Sequence, residues 1–218
     1  MIIVYLDISH RLYHINTVVK EFGLNVFIVS YRGYGKSSGV PDESGMQIDA
    51  QTALNYLLND CVGINTKKIF CFGRSLGGAI AIDLALRNQS SLCGLMVENT
   101  FASIPSMIDS LFKILSFYRY LSKNNWNSID KIKHFNKDFP ILFLSGLEDE
   151  LVPHKQMLEL YELSSSEHKT IKIYKDGRHN TTFLSDGYNE DVIAWLKLEG
   201  IISSHLSKEE QSLGFSFT

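Results

Sequence analysis

A serine flanked by glycines stands at the centre of the run Gly73-Arg74-Ser75-Leu76-Gly77. This GxSxG spacing is typical of a nucleophilic serine when a buried strand precedes it and a small-residue helix follows. Residues 69–72 and 77–87 have the composition of those two elements. We predict that Ser75 is a nucleophile and that the Leu76 backbone N–H donates to the oxyanion created by its attack. The alternative interpretation is a tight strand-to-helix turn without chemistry.

A serine nucleophile needs a general base, and the base needs a carboxylate that orients it. Where GxSxG follows a strand, the chain order is serine, then acid, then histidine. Three carboxylates, Glu148, Asp149 and Glu150, follow the apolar run 141–144, which reads as a strand. We choose Asp149 as the acid, with Glu148 and Glu150 as alternatives. A solvated acidic loop without a catalytic role is the remaining interpretation.

The loop Asp176-Gly177-Arg178-His179-Asn180 follows the last predicted strand, residues 170–174, and supplies a histidine in the required place. The other six histidines lie in helical or loop contexts without this placement: His10, His14, His134, His154, His168 and His205. We therefore predict that His179 is the base. Such a triad would act by nucleophilic attack of the serine through an acyl-enzyme, and this mechanism requires no metal or organic cofactor.

Apolar runs that alternate with amphipathic segments must position these residues. The predicted strands are 2–6, 26–29, 69–72, 92–97, 141–144 and 170–174, and the predicted helices are 9–22, 46–58, 77–87, 154–163 and 188–198. This alternation predicts an α/β fold, with a mostly parallel sheet flanked by helices. We expect one domain over residues 1–200, a possible cap insertion at 104–135, and a polar C-terminal tail at 201–218.

Composition narrows the class of protein. The chain has 218 residues, 44% of them hydrophobic, which suits one domain with a buried core. A net charge of -3 gives no basic field for nucleic acid. Three cysteines without a CxxC spacing predict neither a disulfide framework nor a zinc site. Because no run approaches about 20 apolar residues, we expect this chain itself to be soluble.

Two further segments have more than one interpretation. The glycine-rich loop 31–39 lacks the spacing of a phosphate-binding loop, so its glycines are expected to supply positive-φ turns. Arg32 in this loop is either structural or a substrate contact. Segment 104–135 could form an apolar wall for an acyl chain, or could simply pack in the core. The side chains proposed for this wall are Phe112, Leu115, Phe117, Tyr118 and Tyr120.

Four motifs together resemble a known family. They are Tyr31-Arg-Gly-Tyr-Gly-Lys-Ser, Phe72-Gly-Arg-Ser-Leu-Gly-Gly-Ala, Val97-Glu-Asn-Thr-Phe and Asp176-Gly-Arg-His-Asn. Over about residues 8–198 the chain resembles the alpha/beta hydrolase domain-containing protein 13 branch of the serine hydrolase superfamily. The resemblance implies an α/β-hydrolase fold with Ser75 as nucleophile, Asp149 as acid and His179 as base. It also implies ester or thioester hydrolysis of a small-molecule or lipidated acyl substrate, in a single-pass type II membrane protein.

The chain departs from that family near its beginning. A His-Gly-Asn-Ala-Gly-like loop of the family, which lends the second oxyanion N–H, is replaced here by Leu6-Asp7-Ile8-Ser9-His10. Loss of one such donor costs roughly 100- to 1,000-fold in turnover in a known serine protease. The resemblance therefore implies a chain truncated at its N-terminus, without the anchor and the first two strands. The alternative function is a catalytically impaired α/β-hydrolase scaffold that binds a ligand or partner.

Overall fold

The computed structural model describes residues 2–4, 12–111 and 124–203, with the side chains of 2–4, 12–14 and 109–111 left out of the description. Within these ranges six strands form one sheet in the order β2-β1-β3-β4-β5-β6, and every pairing is parallel. The strands are β1 (Ile2–Val4), β2 (Phe27–Ile28), β3 (Cys71–Arg74), β4 (Leu95–Glu98), β5 (Ile141–Gly146) and β6 (Lys169–Tyr174). The predicted parallel sheet is confirmed.

Helices connect the strands and cover both faces of the sheet. They are α1 (Leu12–Phe22), α2 (Glu43–Asn59), α3 (Leu76–Arg87), α4 (Ile104–Leu111), α5 (Ser128–Lys131), α6 (His154–Leu163) and α7 (Tyr188–Leu198). Because side chains alternate along a strand, neighbours in β5 enter different cores. Phe143 packs with α2, α3 and α6, whereas Leu142 packs with α1 and α7. The prediction of helices on both faces is confirmed.

Helix α2 corrects one prediction from the sequence. The apolar spacing in the predicted helix 46–58 predicts that Ile48, Leu54, Leu57 and Leu58 face inward, but Ile48 is 60% exposed. Leu54 and Leu57 are buried as predicted, together with Met46, Ala50 and Ala53. Ile48 lies about 200° around the helix from Met46, since each residue turns about 100°, and so it points to solvent.

The loop between β2 and α2 has a structural arginine. Arg32 Nε and Nη2 donate to the two carboxylate oxygens of Asp49 at 3.0 and 2.8 Å, and the Arg32 backbone N–H donates to Asp49 Oδ2 at 3.0 Å. This paired contact attaches the loop to α2 and favours the structural interpretation of Arg32. Gly33, Gly35 and Gly39 have positive φ angles of 75°, 58° and 95°, as predicted for this loop.

The proposed cap region lies partly outside the described residues. Helix α4, helix α5 and a 3-10 turn over Ile132–His134 are described, whereas residues 112–123, with all five side chains of the proposed acyl wall, are not. Trp126 and Ile132 are buried in the core beside α3. The division into domain, cap and tail therefore stays a prediction, and residues 204–218 of the tail also lie outside the description. In the described ranges, every helix is too short or too polar to cross a bilayer.

Candidate active site

Ser75 occupies the turn between β3 and α3 in a backbone conformation that side chains rarely adopt. Its φ is 54° and its ψ is -126°, and such a conformation costs about 1–3 kcal/mol, which the surroundings must offset. The Ser75 N–H donates to the Glu98 carbonyl at 3.1 Å, and the Gly78 N–H donates to the Ser75 carbonyl at 2.9 Å. A GxSxG motif between a strand and a helix requires such a strained turn, and the turn is present, with the Ser75 side chain half-buried.

The turn is possible because the strand and the helix approach very closely. A Cβ added to Gly73 would lie 2.2 Å from the carbonyl oxygen of Gly77 and 2.7 Å from the Ala81 side chain. A side chain at position 73 would therefore separate β3 from α3 and move Ser75 with them. This contact is the physical reason for the first glycine of the motif.

Leu76 begins α3 directly after Ser75. The N–H groups in the first turn of a helix have no acceptor within the helix, and the helix dipole makes this end positive. The Leu76 N–H lies at this end of the helix, directly after Ser75, and its role as the oxyanion donor stays a prediction. Residues 5–11, where the family loop is replaced, lie outside the described ranges, so the missing second donor stays a prediction.

Asp149 and His179 form a buried pair. His179 Nδ1 lies 2.9 Å from Asp149 Oδ2 and 3.0 Å from Oδ1, and the side chains are 6% and 1% exposed. Asp149 Oδ1 also accepts from the backbone N–H groups of Leu151 at 2.9 Å and Val152 at 2.7 Å. Because an ionised carboxylate only accepts, we assign the imidazole proton to Nδ1, which leaves Nε2 free to take a proton.

The two rival carboxylates have other surroundings. Glu150 Oε2 accepts from the His179 backbone N–H at 3.2 Å, so it contacts the main chain rather than the ring. Hydrogen bonds from backbone N–H groups hold the pKa of Glu150 below its usual value. Glu148 is exposed, and its backbone N–H donates to the Gly177 carbonyl at 3.0 Å. Of the three, Asp149 is the carboxylate paired with the imidazole.

The sheet brings the three loops together at one edge. Strands β3, β4, β5 and β6 are successive neighbours and all parallel, so the residues that follow them leave the sheet at the same end. Arg74 Nη2 donates to Asn180 Oδ1 at 2.9 Å, which joins the residue before Ser75 to the residue after His179. Among the described contacts, no hydrogen bond links the Ser75 hydroxyl to the His179 ring. Such bonds are often long before substrate binds, and the catalytic roles stay a prediction.

A buried acid lies beneath this edge. The Glu98 side chain at the end of β4 is fully enclosed and accepts from the Tyr188 hydroxyl at 2.5 Å. Burial raises the pKa of Glu98, while the positive charge of Arg74 and the Tyr188 hydrogen bond act in the opposite direction. Glu98, Asn99 and Thr100 lie in one of the four motifs that carry the family resemblance, but no role was predicted for them. Their further signal is a polar run directly after an apolar strand, at the sheet edge where ligands bind.

The described residues contain no group of three His, Cys, Asp or Glu side chains that could hold a metal ion.

One of the remaining histidines has a specific structural partner. His154 Nδ1 lies 2.7 Å from Ser145 Oγ, a contact that spans the base of the loop carrying Asp149, and burial lowers the pKa of His154. Cys71 is an inert core thiol, since burial raises its pKa to about 12.

Comparison with known families agrees with this geometry. A family model described as serine aminopeptidase, S33 (Hydrolase_4) matches residues 5–130 and 121–184. The chain belongs to this family of alpha/beta hydrolases. The match includes the loops that carry Ser75, Asp149 and His179.

Two relatives extend over most of this hydrolase chain. Protein bem46 of Schizosaccharomyces pombe is 42% identical over 191 residues, which cover 87% of this chain and 63% of bem46. A Saccharomyces cerevisiae protein named uncharacterized membrane protein YNL320W is 38% identical over 196 residues, which cover 90% of this chain and 69% of that protein. The hydrolase chain thus spans roughly two thirds of the length of the curated relatives it matches.

Solved structures share the fold. An alpha-beta hydrolase from Vibrio vulnificus superposes with a TM-score of 0.73 at 25% identity, over 89% of this chain and 74% of that one. An esterase from Pyrococcus furiosus superposes with a TM-score of 0.70 at 18% identity, over 90% of this chain and 82% of that one. The second likeness supports the fold alone.

Proposed function

We propose that this hydrolase cleaves carboxylic esters or thioesters through Ser75, His179 and Asp149. The observation that carries the proposal is the buried Asp149–His179 pair, which lies at the sheet edge where the strained turn presents Ser75. A histidine held in this way by a carboxylate has the tautomer that a serine nucleophile requires. The proposed substrate is a small or lipidated acyl compound.

In the proposed reaction, Ser75 Oγ attacks the acyl carbonyl carbon while His179 Nε2 takes the hydroxyl proton. The carbonyl oxygen becomes an oxyanion that accepts from the Leu76 N–H. When the intermediate collapses, the bond to the leaving alcohol or thiol breaks, and His179 returns the proton to that group. Water, deprotonated by His179, then attacks the acyl carbon; the bond from that carbon to Ser75 Oγ breaks, His179 returns the proton to Oγ, and the carboxylic acid leaves. Asp149 holds the ring and stabilises the imidazolium in both halves, and no metal or cofactor takes part.

The comparisons support the hydrolytic class more strongly than the substrate. The family description names a serine aminopeptidase, and the Pyrococcus protein, which is similar in fold, is named an esterase. Both names describe hydrolases, whereas the scissile bond differs between them. The yeast relative is named a membrane protein, and this name supports the proposal that the hydrolase acts at a membrane, where lipidated substrates are found.

A fluorophosphonate probe tests the nucleophile directly, because it forms a covalent bond only with an activated serine. We expect the folded wild-type chain to be labelled and the Ser75→Ala variant to remain unlabelled. Ser38→Ala, which changes an exposed serine on another loop, should be labelled like the wild type. Labelling that persists in Ser75→Ala would show that another residue reacts.

The replacement of the family loop at residues 6–10 favours a second candidate, a scaffold that binds acyl ligands without turning them over. A wild-type chain that is folded by circular dichroism but remains unlabelled would support this candidate over the first. For a labelled chain, p-nitrophenyl acyl esters and aminoacyl p-nitroanilides assayed side by side would identify the scissile bond. Our proposal requires the esters to be the faster substrates.

A further inference from the structure

Asn99, directly after β4, has an unusual backbone and a fully enclosed side chain. Its φ is 44°, a region that non-glycine residues rarely adopt and that asparagine tolerates best. It is 1% exposed, and its backbone N–H donates to the Leu144 carbonyl at 3.1 Å. A buried residue held in such a conformation indicates that its surroundings impose the geometry.

The Asn99 amide makes hydrogen bonds in two directions. Its Oδ1 accepts from the Gly146 N–H at 2.9 Å, at the point where β5 leads into the loop of Asp149. Its Nδ2 donates to Thr182 Oγ1 at 2.9 Å and lies 3.3 Å from the carbonyl oxygens of Arg178 and His179. One planar amide therefore joins the loop that carries Asp149, which we call the acid loop, to the loop that carries His179, which we call the histidine loop.

These two loops touch at their own backbones as well. A Cβ on Gly146 would lie 2.2 Å from the Gly177 carbonyl oxygen and 2.6 Å from Thr182 Oγ1. Asn99 makes hydrogen bonds to both sides of this contact, from the Gly146 N–H and to the same Thr182 Oγ1. A small movement of one loop would therefore change the Asp149–His179 distance, unless something fixes the two together.

The residues on either side of Asn99 reach the nucleophile. The Glu98 carbonyl accepts from the Ser75 N–H at 3.1 Å, and Thr100 Oγ1 donates to the Ser75 carbonyl at 2.7 Å. The segment 98–100 thus makes hydrogen bonds to the Ser75 turn, to the acid loop and to the histidine loop.

We propose that Asn99 is a positioning residue that sets the acid and histidine loops against the Ser75 turn. This inference rests on the proposed serine hydrolase function. The position needs an acceptor and a donor on one short side chain, together with a positive φ. Asparagine meets all three requirements, aspartate loses the donor, and glycine keeps only the backbone conformation. Since misplacement of a reacting group by about 1 Å can cost 100-fold in rate, loss of the amide should slow acylation of Ser75.

The test measures the second-order rate constant of fluorophosphonate labelling in the full chain. We expect Asn99→Gly and Asn99→Asp to react about 10- to 100-fold more slowly than the wild type. Ser166→Ala is the matched control, because it removes a buried hydrogen bond, 2.7 Å to the Phe139 carbonyl, just before β6 and away from the triad loops. It should label at the wild-type rate, even if its urea midpoint falls as far as those of the Asn99 variants.

A second readout does not depend on turnover. The proton between His179 Nδ1 and Asp149 should give a low-field proton NMR signal, assigned by its loss in His179→Ala. We expect this signal to shift or broaden in both Asn99 variants and to remain unchanged in Ser166→Ala. Variants that keep both the wild-type signal and the wild-type labelling rate would overturn the positioning role. An unlabelled wild type would overturn the proposed function alone, since the NMR comparison would still decide the role of Asn99.

Discussion

The proposed chemistry depends on one contact between two side chains, Asp149 and His179. Both side chains are enclosed, so the attraction between the carboxylate and the ring N–H is weakly screened. The N–H groups of Leu151 and Val152 fix one carboxylate oxygen and so limit the positions that the ring can take. In this arrangement the charge of Asp149, and not merely its shape, selects the tautomer of His179.

Asp149→Asn tests that statement, because it keeps the size of the side chain and removes its charge. An asparagine amide can donate to Nδ1 and so favour the tautomer in which Nε2 already carries the proton. We expect ester turnover at neutral pH to fall roughly 10,000-fold, the size of this effect in a known serine protease. The measurement is kcat with a p-nitrophenyl ester, with circular dichroism to verify the fold.

Glu148→Gln is the matched control for this variant. It removes a negative charge from the adjacent position, where the side chain is exposed. Turnover by Glu148→Gln should remain close to that of the wild type. An equal loss in the two variants would mean that the net charge of the loop matters, and not the bond to the ring.

The order of the residues along the chain predicted Ser75, Asp149 and His179, but it did not predict Asn99, which makes hydrogen bonds to their loops. Ser75, Asp149 and His179 were found because each follows a strand, and the ends of parallel strands meet at one sheet edge. The choice between Asp149 and its neighbours was left open, since it depends on which side chain turns inward. Asn99 received no role because its partners Gly146 and Thr182 are 47 and 83 residues away, and no local pattern encodes such contacts.

At the scale of elements, the close approach of β3 and α3 governs the nucleophile. The strand ends at Arg74 and the helix begins at Leu76, so Ser75 alone makes the turn. The helix also packs against the segment after β4, since a Cβ on Gly78 would lie 2.4 Å from the Thr100 side chain. The position of α3 therefore affects both Ser75 and the residues that hold it.

Gly73→Ala should disrupt this junction. The added methyl group would meet the Gly77 backbone, which cannot move aside as a flexible side chain would. We expect a loss of about 3 kcal/mol in the free energy of unfolding, the upper part of the usual range for overpacking, and much slower probe labelling. Urea unfolding and the labelling rate measure the two effects.

Gly63→Ala provides the comparison. Gly63 has a φ of 84° and no atom within 4 Å of an added Cβ, so alanine there adds backbone strain without a clash. Its cost should be about 1 kcal/mol, with wild-type labelling. If the two variants were equally stable and equally reactive, the packing explanation of the glycine motif would be wrong.

Element boundaries were predicted unevenly, for a physical reason. Helices α6 and α7 have the predicted bounds, because their apolar periodicity and their ends coincide. Residues 69 and 70 were predicted to begin a strand, and both are buried, but β3 begins at Cys71. An apolar run indicates that its residues are buried. The number of those residues that pair as a strand depends on the neighbouring strand, and the local sequence does not encode that neighbour.

At the scale of the whole molecule, the two cores share the same strands. Residues of β5 alternate between the core of α2, α3 and α6 and the core of α1 and α7, so neither core can form without the sheet. Each core contains one of the two tryptophans of the chain, Trp126 on the first side and Trp195 on the second. Trp126 also lies within the proposed cap region, residues 104–135, so its fluorescence reports whether that region unfolds with the rest of the chain.

We expect both tryptophans to report one unfolding transition, because the two cores that contain them share the strands of one sheet. Trp195→Phe leaves Trp126 as the only fluorophore, and Trp126→Phe leaves Trp195. In each variant the urea midpoint from fluorescence should equal the midpoint from circular dichroism.

Leu142→Ala, on the side of Trp195, should destabilise the chain by about 2–5 kcal/mol. It should lower the two fluorescence midpoints equally, because the shared sheet transmits the loss to both cores. If Leu142→Ala lowered only the Trp195 midpoint, the two sides would unfold separately and the prediction of one domain over residues 1–200 would be wrong.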